Sequence, residues 1–172
     1  DLLLNGEFRF YLPGMADLSY KNTRAIKALD FIGLNYYSRW HVKGHLNPNE
    51  PFTFEKRKQD IQTDMPYSIY PEGFYKALNT ISKLEMPVIV TENGIADDKD
   101  DRRKLFINRY LYALFQAMQD GLIVNGYFYW SLMDNFEWAE GYSMKFGLYE
   151  VDFSSQDRNL RDGSQAYKEI IN

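Results

Sequence analysis

Val88-Ile89-Val90-Thr91-Glu92-Asn93-Gly94 is the stretch that decides the fold of this chain. Its β-branched residues predict a buried strand, and the Asn-Gly pair predicts a turn directly after Glu92. In barrels of alternating strands and helices, catalytic groups lie at the carboxyl ends of the strands. Because a carboxylate costs free energy to desolvate, Glu92 is a candidate catalytic residue. The alternative is an acid that caps the strand exit or forms a salt bridge there.

Two further runs have the same character. Residues 30–38 read Asp-Phe-Ile-Gly-Leu-Asn-Tyr-Tyr-Ser, and residues 125–132 read Asn-Gly-Tyr-Phe-Tyr-Trp-Ser-Leu. The second run continues into Met-Asp-Asn-Phe-Glu-Trp over residues 133–138. Each predicted strand therefore ends in amides, carboxylates and aromatic rings, which are the groups that suit sugar recognition.

The order of these runs predicts one α/β domain over residues 1–172, built from repeated β–α units. Residues 1–29 form an irregular lead-in with turn signals at Asn5-Gly6 and Pro13-Gly14 and a short helix predicted over 19–28. Residues 30–70 contain the first strand and a long loop, predicted over 38–66. Residues 71–122 contain a helix, the strand ending at Glu92 and a second helix. Residues 123–172 contain the last strand, a loop and a terminal helix.

Local signals define the helices more closely. Pro71 suits the first position of a helix that runs to about residue 84. The acids of residues 97–101 are interpreted as helix-capping residues, since a calcium loop would need a central Gly and a Glu at position 12. Ser164 is the predicted cap of the terminal helix. An apolar stripe closed by Gly121 is assigned to the core: Leu105, Leu111, Leu114, Phe115 and Met118.

Composition indicates a globular protein and excludes several classes. The chain is 45% hydrophobic and 17% aromatic, which is enough material for a core. Its formal charge of −4 argues against a nucleic-acid partner. The absence of an apolar run of about 18 residues argues against a membrane span. No signal peptide is visible, and the chain has no cysteine, so we expect a cytoplasmic location.

The motifs around the three runs resemble those of family-1 glycoside hydrolases, the retaining β-glucosidase and β-glycosidase group. Thr91-Glu92-Asn93-Gly94 is similar to the family's nucleophile motif, and the Asn-Tyr-Tyr run at 35–37 and the run from Tyr129 to Tyr142 are similar to its flanking motifs. The resemblance implies a (β/α)8 TIM barrel. Such barrels need about 250 residues, so these 172 residues match only a C-terminal part, about three parallel strands, the sixth to the eighth, with their helices.

The resemblance also implies roles for individual residues in a β-glycoside site. Glu92 is the implied nucleophile, Tyr37 donates its hydroxyl to Glu92, and Asn35 orients the same region. The implied substrate-binding residues are Glu137 as acceptor for sugar hydroxyls, Trp138 as an indole N–H donor, Trp130 as the ring platform and Phe146 in the pocket wall. Tyr67 stands where the family usually has a tryptophan at the aglycone side. Each aromatic residue has an alternative reading as ordinary packing.

The acid/base glutamate of the family lies in a Thr-x-Asn-Glu-Pro motif before the Asn-Tyr-Tyr strand, and these residues contain no such segment. Asn49-Glu50-Pro51 follows that strand and consists of turn signals, so we interpret it as a solvated loop. His41 and His45 have i, i+4 spacing but no evident third ligand, so no metal is expected. No phosphate-binding glycine motif occurs, and no cofactor is expected.

Three hypotheses about the chain follow. It is the nucleophile-bearing part of an enzyme completed by a complementary N-terminal barrel fragment, or a truncated, inactive remnant that self-associates as a homo-oligomer. The third hypothesis is a non-catalytic sugar-binding module. In every case missing neighbours leave open sheet edges, which recruit other strands.

Overall fold

The computed structural model describes residues 2–26 and 28–172. The strands are β1 (Glu7–Leu12), β2 (Ala16–Lys21), β3 (Ile32–Asn35), β4 (His41–Gly44), β5 (Phe52–Glu55), β6 (Val88–Asn93), β7 (Val124–Tyr129), β8 (Tyr149–Val151) and β9 (Arg158–Leu160). The α-helices are α1 (Leu2–Asn5), α2 (Pro71–Ser82), α3 (Arg103–Gln119) and α4 (Gln165–Ile171). None of the described helices is long and apolar enough to cross a membrane.

A three-stranded sheet in the order β3-β6-β7 forms the centre of the fold. All its strands run parallel, as the sequence predicted, with Val88 of β6 paired to Ile32 on one side and to Val124 on the other. Parallel neighbours must be connected by crossovers, and here α2 and α3 supply them. The carboxyl ends of all three strands therefore meet at one edge of the sheet.

The core lies between this sheet and the helices. Pro71 is the first residue of α2, as predicted, and the helix buries Phe74 and Leu78. On α3, the rings of Phe106 and Tyr110 stack with centroids 4.0 Å apart. Val88 and Val90 of β6 pack into the same core from the sheet, which explains the apolar run in the sequence of that strand.

The predicted apolar stripe on α3 is only partly correct. Leu114 is buried and Leu105 and Leu111 are partly buried, but Phe115 and Met118 are exposed. The buried positions of α3 instead follow a 3.6-residue period one step away: Arg103, Phe106, Ile107, Tyr110, Ala113, Leu114 and Ala117. The buried face of α3 includes small residues, and its exposed face includes large apolar residues. The positions of large apolar side chains alone therefore do not identify the buried face.

The helix predicted over 19–28 is wrong. Residues 7–21 form an antiparallel hairpin of β1 and β2, and a 3-10 helix, Thr23–Ala25, follows; Lys27 lies outside the described residues. The alternation in this segment has a period of two, so one face carries apolar side chains and the other carries the ion pairs Arg9–Asp17 and Lys21–Glu7. The apolar face is exposed and consists of Phe8, Phe10, Leu12, Leu18 and Tyr20.

The long loop predicted over 38–66 contains a second hairpin, β4–β5. Asn49-Glu50-Pro51 lies at its tip, where Glu50 is exposed, as expected for a solvated turn. The two histidines make separate contacts: His41 Nε2 lies 2.7 Å from Asp60 Oδ2, and His45 Nε2 lies 2.9 Å from Thr53 Oγ1. Within residues 2–26 and 28–172, no group of three or more His, Asp or Glu side chains is arranged to hold a metal ion.

Helix caps follow the prediction in one case and not in the other. Asp97 Oδ2 accepts the backbone N–H groups of Arg102 and Arg103 at 2.9 and 2.8 Å, so an acid does cap α3. Ser164 precedes α4, but its buried hydroxyl has no hydrogen-bond partner among the described residues. The 3-10 helix Asp162–Ser164 leads directly into α4, so Ser164 has helical dihedrals and cannot cap with its side chain.

The guanidinium of Arg103 connects the helix layer to the loops at the carboxyl edge. Its Nε donates to Asp100 Oδ1 at 2.7 Å, and its Nη1 donates to Tyr129 Oη at 2.8 Å. The remaining bonds go to the carbonyl oxygens of Ile95, Asp97, Lys145 and Phe146. Arg103 is fully buried, so these acceptors replace its hydration entirely.

We expect Arg103→Met to destabilise the fold by about 3–5 kcal/mol, because it leaves buried acceptors and Asp100 without the cation. Urea denaturation measures this as a fall in the free energy of unfolding. Arg109→Met is the matched control, since Arg109 is an exposed arginine of the same helix, and its change is expected within about 0.5 kcal/mol. Equal losses in both variants would contradict the role given to Arg103.

Candidate active site

Glu92 lies at the carboxyl end of β6 with its side chain half-buried. The hydroxyl of Tyr37 donates to Glu92 Oε2 at 2.7 Å, and the backbone N–H of Tyr36 donates to the Glu92 carbonyl at 2.9 Å. Burial raises the pKa of the Tyr37 phenol above its ordinary value, and the hydrogen bond to Glu92 raises this pKa further. Tyr37 therefore stays protonated at neutral pH and serves as a neutral donor to the carboxylate.

Asn35 is the Cα partner of Glu92 on the neighbouring strand, at a register shift in the β3–β6 pairing. Its side-chain oxygen accepts from Thr91 Oγ1 at 2.5 Å. The exposed amide thus lies beside Glu92 on the open side of the strand ends. The structure brings Asn35, Tyr37 and Glu92 together at the carboxyl edge of the sheet.

A second carboxylate lies beyond β7 and is held by tryptophan and amide donors. Trp130 Nε1 donates to Glu137 Oε1 at 3.0 Å, and Asn135 Nδ2 donates to the same oxygen at 2.7 Å. Ser131 Oγ in turn donates to Asn135 Oδ1 at 2.9 Å, which orients that amide. The indole donor to Glu137 is therefore Trp130. The indole of Trp138 is 88% exposed and makes no hydrogen bond within the described part of the chain.

Two further predicted residues pack around Tyr37. The ring of Phe146 meets that of Tyr37 edge-on at a centroid distance of 6.1 Å, and the ring of Tyr67 lies 6.4 Å away. Phe146 is 2% exposed, so it supports Tyr37 from behind rather than forming an open wall. Burial raises the pKa of Tyr67, and the negative charge of Glu137 raises it further.

Asn93 is a site residue that the sequence reading treated only as a turn former. It is fully buried and ends β6, so the predicted turn directly after Glu92 is wrong. Its Nδ2 donates to the Tyr36 carbonyl at 2.6 Å, and its Oδ1 accepts from Tyr127 Oη at 2.7 Å. One amide therefore bridges β6 to both flanking strands. The available signal was an amide that lies between the apolar residues 88–90 and the apolar residues 95–96, since an amide buried there must have both of its ends satisfied.

Gly94 permits a close approach between the ends of β6 and β7. A Cβ at this position would lie 1.7 Å from the carbonyl oxygen of Trp130. The backbone N–H of Trp130 also donates to the Asn93 carbonyl at 2.9 Å. The position of Trp130, and with it the hydrogen bond to Glu137, therefore depends on residue 94 being a glycine, which has no side chain.

A three-stranded parallel sheet that is connected by helices, with polar side chains gathered at its carboxyl edge, defines a protein of the α/β class. The profile described as Glycosyl hydrolase family 1 matches residues 13–172, and the chain belongs to this family. It is 38% identical to a 1,4-beta-D-glucan glucohydrolase of Thermotoga neapolitana over 99% of this chain and 40% of the relative. It is also 38% identical to a beta-galactosidase of Pyrococcus woesei over 85% of this chain and 32% of the relative.

Solved structures give the same result. A beta-glycosidase from Pyrococcus horikoshii matches with a TM-score of 0.79 and 38% identity, over 98% of this chain and 39% of that one. A family 1 beta-glucosidase from Thermotoga maritima matches with a TM-score of 0.77 and 36% identity, over 87% and 36%. The chain thus spans about a third to two fifths of the length of these relatives.

We expect Gly94→Ala to lower the free energy of unfolding by about 1–3 kcal/mol, since the added methyl group must displace the backbone of Trp130. Near-ultraviolet circular dichroism should change with it, because the environment of the Trp130 indole shifts. Gly126→Ala is the control: its Cβ would lie 3.5 Å from Ile89 Cγ2, an ordinary contact. A Gly94→Ala protein with unchanged stability and spectrum would refute the close approach.

Proposed function

We propose that this chain carries the nucleophile half of a retaining β-glycosidase site. The observation that carries the proposal is the 2.7 Å hydrogen bond from Tyr37 Oη to Glu92 Oε2 at the carboxyl end of β6. A phenol that stays protonated holds the carboxylate in place without neutralising it. The other oxygen of Glu92 then serves as the attacking atom. Family membership supports this assignment, since the relatives are named for β-glucosidase and β-galactosidase activity.

The proposed chemistry is a double displacement. An oxygen of Glu92 forms a bond to the anomeric carbon while the bond to the aglycone oxygen breaks, and that oxygen leaves with the electron pair and takes a proton from an acid. Water then adds to the anomeric carbon, gives its proton to the same group acting as base, and releases Glu92 as a carboxylate. The acid/base glutamate implied by the family resemblance belongs to a segment outside these 172 residues.

The remaining site residues receive binding roles. Glu137 is held by two donors at Oε1, so its Oε2 is proposed to accept from sugar hydroxyls, and the Trp130 ring, fixed by its bond to Glu137, is the proposed platform. Asn35 is proposed to contact the sugar beside Glu92. Phe146 positions Tyr37 through ring contact. Trp138 needs a substrate or a neighbouring segment over it before it can take part.

The partial barrel is proposed to be the C-terminal part of a (β/α)8 barrel, with β3, β6 and β7 as its sixth, seventh and eighth strands and residues 1–172 as one domain. Two observations support this. The strands are consecutive parallel neighbours, and barrel proteins of the family match the chain over only about two fifths of their own length. Both outer edges of the sheet, on β3 and on β7, lack a strand partner within the described residues.

These open edges give the proposed partners, which are the complementary part of the barrel or further copies of the chain. Large apolar side chains are exposed near the edges, among them Phe31 before β3 and Phe128 on β7. Such surface is normally covered in a folded protein. The substrate partner is proposed to be a β-glycoside.

The nucleophile assignment predicts a covalent adduct. We expect β-glucosyl fluoride to glycosylate Glu92 slowly, because fluoride leaves with little protonation, and we expect the adduct to persist because the general base for its hydrolysis is missing. Cellobiose should give negligible turnover, since general acid help is worth about 10²–10⁴-fold. Mass spectrometry of the peptide containing Glu92 measures the adduct.

Glu92→Gln should abolish the adduct and Glu50→Gln should leave it, since Glu50 lies in an exposed turn away from the sheet edge. An adduct on another residue, or equal labelling of both variants, refutes the nucleophile assignment. No adduct on a folded wild-type chain favours an inactive remnant. Glucose binding that is insensitive to Glu92→Ala, without any adduct, favours a sugar-binding module.

The open sheet edges predict association of the isolated chain. We expect light scattering to show a mass above 20.3 kDa that grows with concentration. Phe128→Lys, which places a charge on the uncovered face of β7, should shift the distribution towards monomer. Glu140→Lys, an exposed change in the loop after Glu137, is the control and should leave the mass unchanged. A wild-type monomer at every concentration contradicts this prediction.

A further inference from the structure

A groove with a volume of about 410 Å³ lies between α2 and α3 on the solvent side of the helix layer. The residues that line it come from the first two turns of α2 and from the second half of α3, and none of them belongs to the candidate active site. In a barrel the helices form the outer ring, so a groove between two of them opens away from the centre of the barrel. Its volume is typical of sites for small molecules.

Two hydrogen bonds between the helices fix the width of this groove. Directly before α2, the backbone N–H of Tyr70 donates to Tyr110 Oη of α3 at 2.9 Å. Towards the other end, Tyr75 Oη of α2 donates to Asp120 Oδ2, directly after α3. The groove is therefore preformed, and a ligand that enters it does not have to separate or order the helices first.

The apolar lining of the groove suits a flat aromatic ligand. Pro71 and Ala113 are buried, and the short side chain of Ala113 leaves room beside it. The ring of Tyr75 is partly buried, whereas Tyr112 is 63% exposed. A planar ligand placed against these two tyrosines would remove apolar ring surface from water and gain the additional stabilisation of aromatic contacts.

The charges that line the groove favour an anion. Lys76 and Arg109 are both exposed, and neither forms an ion pair with any side chain that the structure describes. The third charged residue of the lining is Glu72, which lies in the first turn of α2, where the partial positive charge of the helix N-terminus stabilises an acid. Two cations thus stand against one carboxylate, and that carboxylate already has a favourable partner.

We propose that the groove between α2 and α3 is a second ligand site, which binds an aromatic carboxylate. The aromatic ring lies against Tyr75 and Tyr112, and the carboxylate lies beside Lys76 and Arg109. The planar guanidinium matches the geometry of a carboxylate. A neutral aromatic compound would leave both cations without a partner, and an aliphatic acid would make poorer contact with the tyrosine rings. The proposal uses no residue of the candidate active site, so it is independent of the glycosidase assignment.

The test is titration calorimetry of the 172-residue chain with 2-naphthoate and with its neutral counterpart 2-naphthamide, at low ionic strength. Naphthoate should bind at one saturable site, about two- to tenfold more tightly than the amide, because only the acid can pair with the exposed cations. Added salt should reduce this difference, since it screens charges at the surface.

Variants on α3 connect the binding to the groove. Arg109→Gln should weaken naphthoate binding about two- to fivefold and leave naphthamide binding unchanged. Tyr112→Ala should weaken the binding of both compounds about two- to tenfold, because it removes a ring that they contact. Lys104→Gln and Phe115→Ala are the matched controls and should bind as the wild type does, since both residues are exposed on the same helix and neither lines the groove. Thermal unfolding of each variant establishes that it is folded.

The proposal is overturned if the folded wild-type chain shows no saturable binding of naphthoate, or binds naphthoate and naphthamide equally well. It is also overturned if Arg109→Gln and Tyr112→Ala bind as the wild type does, or if the control variants lose as much affinity as they do. A fall in mass by light scattering for Tyr112→Ala but not for Phe115→Ala, with naphthoate binding unchanged, would assign the groove to contact with a second copy of the chain instead.

Discussion

The carboxyl edge of the sheet depends on one buried amide. Asn93 lies on β6 between the two outer strands and is fully buried, so its nitrogen and oxygen must both find partners inside the protein. It finds them on opposite sides, at the Tyr36 carbonyl and the Tyr127 hydroxyl, and these two bonds hold the three strand ends together where the strand pairing shifts register. Because side chains alternate along a strand, Glu92 then points to the other face of the sheet from Asn93. The same arrangement of strand ends that satisfies the amide thus presents the carboxylate to Tyr37.

The loops beyond the strands are joined to this edge by cations. Arg103 gathers carbonyl oxygens from the segment after β6 and from residues 145 and 146, and so ties the backbone of Phe146 to α3. A second buried pair, Arg161 with Asp134, holds the segment between β7 and β8, since Asp134 also accepts the N–H of Gly147 at 2.9 Å. Each arginine thereby fixes irregular backbone that has no sheet or helix of its own to order it.

The parallel strands and several site residues could be predicted from sequence because their signals are local. One apolar run is followed by Glu92 and another by Asn35 and Tyr37, and each polar residue indicates where a strand ends. Parallel strands bring those ends together at one edge of the sheet. The hydrogen bond from Trp130 to Glu137 could not be predicted, because it depends on the path of the loop after β7. The hairpin of residues 7–21 was missed because its turn signals and charges were interpreted as an irregular segment, although Pro13-Gly14 lies at the turn between β1 and β2. Arg103 gave no signal, since an arginine after a run of acids reads as a surface residue.

The charged side chains of the β1–β2 hairpin pair with each other and not with the rest of the protein. Both of its ion pairs, Arg9–Asp17 and Lys21–Glu7, connect one strand of the ribbon to the other. Neither attaches the ribbon to the sheet or to the helices. A movement of the hairpin relative to the rest of the chain would therefore break neither of these ion pairs. Its polar face keeps the two strands in register while its apolar face is free to take the shape of whatever surface covers it.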